Sequence, residues 1–399
     1  MRLSKLLLPL LSLTAVGVAF AQTSAADSAA ADVAARAKLF QRCGGVEAKT
    51  LPTGIVPGIY RGTLGTQAIT LELKGNGSQE GQMATDRYAY DRHGVAIALE
   101  RGRAANRTAN YAFLGVEAVF QGDGSVARGC LSLVADGSRM KGQWFTPDHQ
   151  QQLSVVLLRV NVAAVSLALP SSPGLLSLRS SDPFTFLALN RAWTKTAGGL
   201  KEPLSGVTYP RVVGGAPALN AALQDGQLKL AADALDCLSG SGVNLQNGTD
   251  YSGSGTLSWK STHLTSLHED VELYCGGAHP DNYTAGVILD ARSGKTVKLA
   301  GKPGTLWPAL DARKVQAFYL AGYPKDGDIQ ECLDAVSMPE ISSEYDNYTL
   351  YLTAEGLSLW PTYLPHVAGA CAEAVTVPYA KLRALADPKS VYFRDLYSR

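Results

Sequence analysis

The chain has 399 residues, of which 36 are lysine or arginine and 35 are aspartate or glutamate. A formal net charge of +1 provides no electrostatic footprint for nucleic acid or anionic lipid, so neither is an expected partner. The length is typical of two domains. Forty glycines and only 18% charged residues indicate a turn-rich protein that contains β-structure.

The N-terminus has the composition of a secretory signal peptide. Arg2 and Lys5 form a short positive region and an apolar run extends from Leu6 to Phe20. Ala19-Phe20-Ala21 is an A-x-A cleavage motif that ends just before Gln22. We therefore predict a cleaved signal over residues 1–21. The apolar run of about 15 residues is too short for a stable membrane anchor. The predicted location is periplasmic or secreted.

The six cysteines all lie beyond this signal. An even number in an exported chain indicates disulfides, and the lack of any Cys-x-x-Cys pair argues against redox chemistry and a zinc knuckle. Six cysteines allow fifteen connectivities. We favour sequential pairing because each pair then falls within one predicted structural unit: Cys43–Cys130, Cys237–Cys275 and Cys332–Cys371.

The first half of the chain is predicted to be β-structure. Residues 22–50 are rich in alanine and serine with little to bury, so we expect a flexible segment. Residues 51–162 contain short runs of period-two alternation separated by Gly, Asn and Asp turns, which predicts an antiparallel all-β barrel or sandwich. Its sequence marks no ligand site, and Tyr60 and Trp144 are interpreted as core or rim aromatics. Residues 163–185 are proline-punctuated and predicted to be a linker.

Residues 186–399 combine helical and strand patterns. Apolar residues recur at helical spacing over 218–237 and 306–322, and a third short helix is predicted over 378–385. Strand patterns lie between and after the first two of these helices. The fold class is therefore α+β, with an N-terminal all-β domain followed by an α+β domain of strands with two to three helices.

One stretch in this second domain stands out: Tyr274-Cys275-Gly276-Gly277-Ala278-His279. With the segments 286–290 and 293–299, and a C-terminal strand pair over 351–357 and 375–379, it resembles the RsiV/PdaC-like extracytoplasmic domain family of unknown function. The resemblance covers roughly residues 205 to 385. It implies a bacterial cell-envelope setting and, through RsiV-type anti-sigma factors, lysozyme as a partner.

In this family, RsiV-type anti-sigma factors carry a sigma-binding segment and PdaC-type peptidoglycan deacetylases carry a catalytic module. The sequence contains neither, so the resemblance implies neither anti-sigma activity nor deacetylation. It also has no Gly-x-Ser-x-Gly or His-Glu-x-x-His motif. We therefore predict no catalytic residues, no metal and no cofactor. The opening stretch supplies the expected binding residues Tyr274, Gly276, Gly277 and His279.

This region could hold a metal site or a catalytic histidine instead of having only a structural role. A metal could be held by the nearby acidic and histidine residues, but their spacing does not bring three ligands together. These residues are His263, His268, Glu269, Asp270 and His279. For His279 we favour a turn-capping role over catalysis, because no partner acid is fixed nearby in sequence.

The leading hypothesis is an exported bacterial cell-envelope binding protein that is not an enzyme. Its partner would be a cell-wall component such as peptidoglycan, or lysozyme. The alternative is an envelope-polymer hydrolase with a site near His279. A purely structural envelope protein is the third possibility.

Overall fold

The computed structural model describes residues 25–75, 86–104, 112–121, 124–240, 248–299, 305–325, 330–337 and 347–398. The predicted signal peptide over residues 1–21 lies outside this range. Among the described residues, no helix combines the length and hydrophobicity that a membrane span requires. The six cysteines form the disulfides Cys43–Cys130, Cys237–Cys275 and Cys332–Cys371, which are the sequential pairs. Such bonds are typical of an oxidising, extracytoplasmic compartment.

The N-terminal domain is a closed antiparallel barrel. Its strands are β1 (Gly45–Glu47), β2 (Gly58–Leu64), β3 (Gln67–Leu73), β4 (Asp86–Tyr90), β5 (Ile97–Ala104), β6 (Phe113–Gln121), β7 (Gly124–Asp136), β8 (Arg139–Phe145) and β9 (Gln152–Arg159). From β2 to β9 each strand pairs with the next, and β9 pairs with β2, so eight strands close the barrel. β1 pairs with the end of β5. The prediction of an antiparallel all-β domain is confirmed in its barrel form.

Apolar side chains fill the barrel. Successive residues of a strand point to opposite faces, so alternate positions point inward. In β6, Phe113 belongs to the interior core, whereas Leu114 belongs to a separate cluster outside the barrel. The interior consists of Ile55, Tyr60, Leu64, Ile69, Leu71, Leu73, Tyr88, Leu99, Phe113, Leu131, Leu133, Met140, Val155 and Leu157.

The segment before the barrel differs from the prediction. Residues 22–50 were expected to be flexible, but Ala25–Arg42 form helix α1. Leu39 and Phe40 in its last turn are buried in the outer cluster with Leu114. The prediction is wrong for the end of α1, because these two apolar side chains cover the barrel wall and the Cys43–Cys130 disulfide fixes the chain just after them.

The second domain follows a 3-10 helix at Val162–Ala164. Its helices are α2 (Pro173–Ser181), α3 (Pro183–Leu189), α4 (Pro217–Ser239), α5 (Ala312–Gly322), α6 (Gln330–Val336), α7 (Tyr379–Leu382) and α8 (Phe393–Tyr397). Its strands are β10 (Thr194–Lys195), β11 (Gly199–Lys201), β12 (Thr208–Pro210), β13 (Asp250–Lys260), β14 (Leu264–Tyr274), β15 (Asp281–Asp290), β16 (Tyr348–Leu352), β17 (Gly356–Pro361) and β18 (Val375–Pro378). The α+β class is confirmed.

The expected linker over residues 163–185 contains structure. Pro173 and Pro183 each begin a helix, with Ser172 and Asp182 as the N-cap residues. Proline is favoured at the first position of a helix, so the same prolines that suggest a linker also mark helix starts. The helices α2, α3, α6 and α8, with nine or fewer residues each, are also additional to the two or three predicted, because short helices carry too few turns for a periodic signal.

Strands β10 to β15 form one sheet in chain order, antiparallel except for the parallel pair β12–β13. Helix α4 packs against one face of this sheet, where it shares a buried core with Val271 and Leu289. The strands β16 to β18 form a second sheet against the other face, with Leu350 and Ile288 in a common core. The long strands β13, β14 and β15 are therefore covered on both sides.

Helix α4 spans the predicted 218–237 region and continues slightly beyond it. Gly226 lies inside the helix because the Tyr209 ring packs there, where an added Cβ would lie 2.5 Å from the Tyr209 hydroxyl oxygen. The helix ends at Gly240, whose φ of 54° is the left-handed conformation common at helix C-termini. Cys237, in its last turn, is held to β14 through Cys275.

The two domains share buried contacts. Ile59 of β2 and Ala89 of β4 belong to the same apolar core as helices α2, α3 and α4. Arg87 of β4 pairs with Asp182 at 2.6 Å, and its guanidinium lies 4.4 Å from the centre of the Phe184 ring. The barrel wall and the first helices of the second domain are thus packed as neighbours.

Candidate binding site

The stretch singled out in the sequence forms the connection between β14 and β15. Gly276 and Gly277 have φ values of 94° and 117°, which side-chain-bearing residues rarely adopt. A Cβ at Gly277 would meet no atom within 4 Å, so backbone conformation rather than crowding accounts for this glycine. The glycine pair therefore turns the chain sharply after Cys275.

The polar groups of this loop bond within the loop. The Tyr274 hydroxyl donates to the Gly277 carbonyl at 3.0 Å, and Nδ1 of His279 lies 3.0 Å from the carbonyl oxygen of Pro280. Gly277 and His279 are exposed, while Tyr274 and Gly276 are half-buried. Tyr274, Gly276, Gly277 and His279 thus come together in one exposed turn, and their role in binding stays a prediction.

The acidic and histidine residues from 263 to 270 separate in space. His263 lies at one end of β14, where its Nδ1 is 3.1 Å from Asp395 of α8. His268 and Asp270 lie on the face toward β16, with 3.2 Å between Nε2 and Oδ2. The His268 ring also packs on Tyr351, with 4.8 Å between ring centres.

Glu269 points to the opposite face, toward α4, as strand alternation requires. No set of three His, Cys, Asp or Glu side chains in the described part of the chain is arranged to hold a metal ion. The structure therefore brings His268 and Asp270 together as a pair, separate from the Glu269 environment.

A cleft lies beside the Cys237–Cys275 disulfide. Tyr251, Leu273 and Tyr283, from the adjacent strands β13, β14 and β15, form one side, and Asp233 and Asp236 of α4 form the other. Its volume is about 410 Å³, within the range of small-molecule sites. Both cysteines line the cleft, and their disulfide fixes the end of α4 against the end of β14. Cys275, from the stretch singled out in the sequence, thus lines the cleft.

The two tyrosines offer rings and hydroxyl donors. Burial raises the pKa of Tyr251, and the neighbouring Tyr283 raises it further. Burial also raises the pKa of Tyr283. Both phenols are therefore protonated at neutral pH. The Tyr251 hydroxyl is buried and has no hydrogen-bond partner among the residues that the structure describes.

The acidic side of the cleft is open to solvent. Asp233 and Asp236 are both exposed, and Asp233 pairs with Lys229 at 3.0 Å. Two carboxylates in the last turns of a helix lie near the negative end of its dipole, an unfavourable arrangement that a donor-rich or cationic ligand would relieve. The cleft thus combines acceptor groups on one side with aromatic rings on the other.

A half-buried carboxyl, that of Glu269, lies on the same face of the sheet. Glu269 accepts a hydrogen bond from the Tyr209 hydroxyl at 2.5 Å. Burial raises the pKa of Glu269, and the Tyr209 hydrogen bond and the Lys229 charge oppose that rise. Leu267, Glu269, Val271 and Leu273 alternate along β14 toward α4, so the inward direction of Glu269 follows from the sequence pattern.

A second, smaller cleft lies across the end of α4. It has a volume of about 210 Å³ and is lined by Arg87 and Gly94 of the barrel, Asp182 and Phe184 at the start of α3, and α4. Asp233 and Asp236 line both clefts. The two carboxylates therefore connect the disulfide cleft with the junction between the domains.

Sequence reasoning missed Asp233, Asp236, Tyr251 and Tyr283. They come from a helix and two strands, and no local motif joins them. Pairing of Tyr251 with Leu273, and of Tyr283 with Val271, places the tyrosines on the α4 side of the sheet. The signal that could have found them is strand register, which the sequence does not supply.

No protein-family model matches the chain, and no curated protein matches it. Several solved structures are similar to parts of it. One is a DUF3298 family member from Bacteroides fragilis, 12% identical, with a TM-score of 0.31, covering 44% of this chain and 69% of its own.

Another is a DUF3298 family protein from Pseudomonas aeruginosa, 17% identical, with a TM-score of 0.25. The similarity covers 35% of this chain and 63% of that one, which is less than two thirds of its length. We infer neither fold nor activity from likenesses of this size.

Proposed function

We propose that this protein is an exported binding protein of the bacterial cell envelope, and that the cleft beside Cys237–Cys275 takes a saccharide segment of a cell-wall polymer. The observation that carries the proposal is the convergence of two tyrosines and two carboxylates around one disulfide-fixed cleft. The predicted signal peptide and the sequence resemblance to the RsiV/PdaC-like family supply the envelope setting.

The chemistry of the cleft suits a sugar. Carboxylate oxygens of Asp233 and Asp236 accept hydrogen bonds from hydroxyl and amide groups. The rings of Tyr251 and Tyr283 offer apolar area together with a polar end, which is why tyrosine is common at binding surfaces. A saccharide presents both kinds of surface, with hydroxyls around its edge and C–H groups on its faces.

Two adjoining clefts favour a polymer over a single small molecule. The disulfide cleft and the smaller cleft at the domain junction share Asp233 and Asp236. A linear chain could lie across the end of α4 and contact both, with its successive units on either side of the two carboxylates. A small isolated ligand would use one cleft only.

The test is retention of the purified, disulfide-bonded protein on insoluble peptidoglycan. Tyr283→Ala removes a partly exposed ring and Asp236→Asn removes an exposed charge, so each should leave the fold intact. We expect the combined variant to bind about tenfold more weakly, the equivalent of about 1.4 kcal/mol. Asp136→Asn, at the exposed end of β7 in the barrel, is the matched control and should bind like the wild type.

If the combined variant bound peptidoglycan with wild-type affinity, the cleft would not be the binding site. Lysozyme, the partner implied by the resemblance, is the second candidate, because exposed Asp233 and Asp236 also suit a basic protein surface. Capture on immobilised lysozyme with the same variants separates the two. Release of soluble fragments from the wall would instead support the hydrolase alternative, to be checked with His279→Ala.

A further inference from the structure

A glutamate inside the barrel lies apart from the cleft. Inward and outward positions alternate along β6, so Glu117 points inward like Phe113, whereas Leu114 and Val116 point outward. Glu117 pairs with Gly129 of β7, next to an irregularity in the register. It is thus a carboxylate among the apolar side chains that fill the barrel.

Two neutral donors hold one of its oxygens. The Tyr88 hydroxyl donates to Oε1 at 2.6 Å, and the Trp144 indole nitrogen donates to the same atom at 2.5 Å. Oε2 makes no hydrogen bond to any residue in the described ranges, and it is not sealed from solvent. The carboxylate is therefore held through Oε1, while Oε2 has no hydrogen-bond donor among the described residues.

Three other acids of the barrel, two of them buried, have cationic partners. Asp86 pairs with Arg101 at 2.6 Å. Glu72 pairs with Arg87 at 2.7 Å, and Asp91 with Arg61 at 2.5 Å. Within the described part of the chain, no lysine, arginine or histidine pairs with Glu117. Glu117 is partly buried. A carboxylate that is partly removed from water without a counter-charge is destabilising, and a bound cation would offset that effect.

The surroundings leave room for the carboxylate and present aromatic rings. A Cβ at Gly129 would lie 2.5 Å from Oε2 of Glu117 and 2.6 Å from the Trp144 indole nitrogen, so glycine is needed there. Trp144 and Tyr90 are partly exposed, and the Tyr90 ring lies 5.8 Å from the Tyr88 ring. Aromatic rings close to a carboxylate are favourable surroundings for an ammonium group.

We propose that this end of the barrel binds a small organic cation, a primary ammonium group on a short apolar stem. The ammonium would donate to Oε2 of Glu117 and lie against the rings of Trp144 and Tyr90. The stem would contact the apolar residues around them. This site is separate from the cleft at α4, so neither site depends on the other.

The test uses n-butylammonium chloride with the purified, disulfide-bonded protein. The readout is the Trp144 indole N–H resonance, assigned by its loss in Trp144→Phe. We expect a saturable shift with n-butylammonium and none with 1-butanol, which has the same stem without the charge. No shift with n-butylammonium, or equal shifts with both, would overturn the proposal on the wild-type protein alone.

The variant Glu117→Gln keeps an oxygen that can accept from Tyr88 and Trp144 but removes the charge. We expect its affinity for n-butylammonium to fall at least about tenfold, as for a lost hydrogen bond to a charged group. Glu355→Gln, on an exposed turn, should bind like the wild type. An unchanged affinity in a folded Glu117→Gln would also overturn the proposal.

Discussion

Burial inside the barrel raises the pKa of the Glu117 carboxyl, and the hydrogen bonds from Tyr88 and Trp144 oppose the rise. A carboxyl whose pKa is higher in the folded protein takes up its proton more readily there than in the unfolded chain. The stability that the protonated Glu117 carboxyl contributes is fully present at pH values below the pKa of glutamate in the unfolded chain, about 4.3. This contribution is lost as the pH rises through the pKa of Glu117 in the folded protein.

This sign gives a stability prediction. We expect the unfolding free energy of the wild type to fall relative to that of Glu117→Gln as pH rises from about 4 to 8, because only the wild type gains a partly buried charge. Urea unfolding at several pH values measures the difference, with Glu355→Gln as the control for loss of a carboxylate. Parallel pH profiles for the wild type and Glu117→Gln would contradict it.

At this scale the sequence is partly sufficient. Period-two alternation along β14 turns Glu269 toward α4, on the face that carries Val271. In β6 both faces carry apolar residues, so the sequence does not indicate that Glu117 points inward. The partners of these acids are not local. Tyr88 is 29 residues from Glu117, and Tyr209 is 60 residues from Glu269. Only the closed barrel and the assembled sheet bring them together.

Helix α1 belongs to the scale of elements. Its alanine-rich start resembles a tether, but Phe40 at its end is fully buried against the barrel wall. An added Cβ at Gly102 would lie 2.6 Å from the Phe40 ring, so the glycine opens the space that the ring fills. One buried apolar turn and the adjacent disulfide thus anchor a helix that composition alone would leave free.

We expect Phe40→Ala to lower the unfolding free energy by about 3–5 kcal/mol, as for other buried phenylalanines. Val33→Ala, on the same helix with a side chain 69% exposed, should change it by less than about 0.5 kcal/mol. Denaturant unfolding of both variants measures the contrast. Equal effects would mean that the end of α1 is not packed on the barrel.

Pro173 and Pro183 also show why secondary structure could not be predicted from local sequence alone. Proline separates elements and also begins helices, so Pro173 and Pro183 fit both a linker and the starts of α2 and α3. The choice depends on what the helices bury. Leu175 and Phe186 pack into the core beneath α4, and that core exists only in the folded domain.

The whole molecule is joined by the core that contains Ile59 and Ala89 from the barrel together with the helices of the second domain. Arg87 adds an ion pair with Asp182 and a contact with the Phe184 ring across the same boundary. Buried apolar area shared by two domains couples their unfolding, because neither can open without exposing the other's surface.

We therefore expect a single calorimetric transition with intact disulfides. Arg87→Ala should lower the midpoint of that whole transition, because it leaves Asp182 and the buried Glu72 without their shared partner. Lys141→Ala, which removes an exposed ion pair on the barrel, should leave the midpoint almost unchanged. Two separate transitions in the wild type would show that the shared core does not couple the domains.

By itself the sequence determined the α+β class, the antiparallel β-domain and the glycine turn that carries His279. These follow from local periodicity and from backbone angles that few residues adopt. The tertiary structure decided barrel over sandwich, because closure depends on pairing of β2 with β9 across the whole domain. It also decided the candidate sites, since Asp233, Tyr251 and Tyr283 meet only when α4 lies on the paired strands.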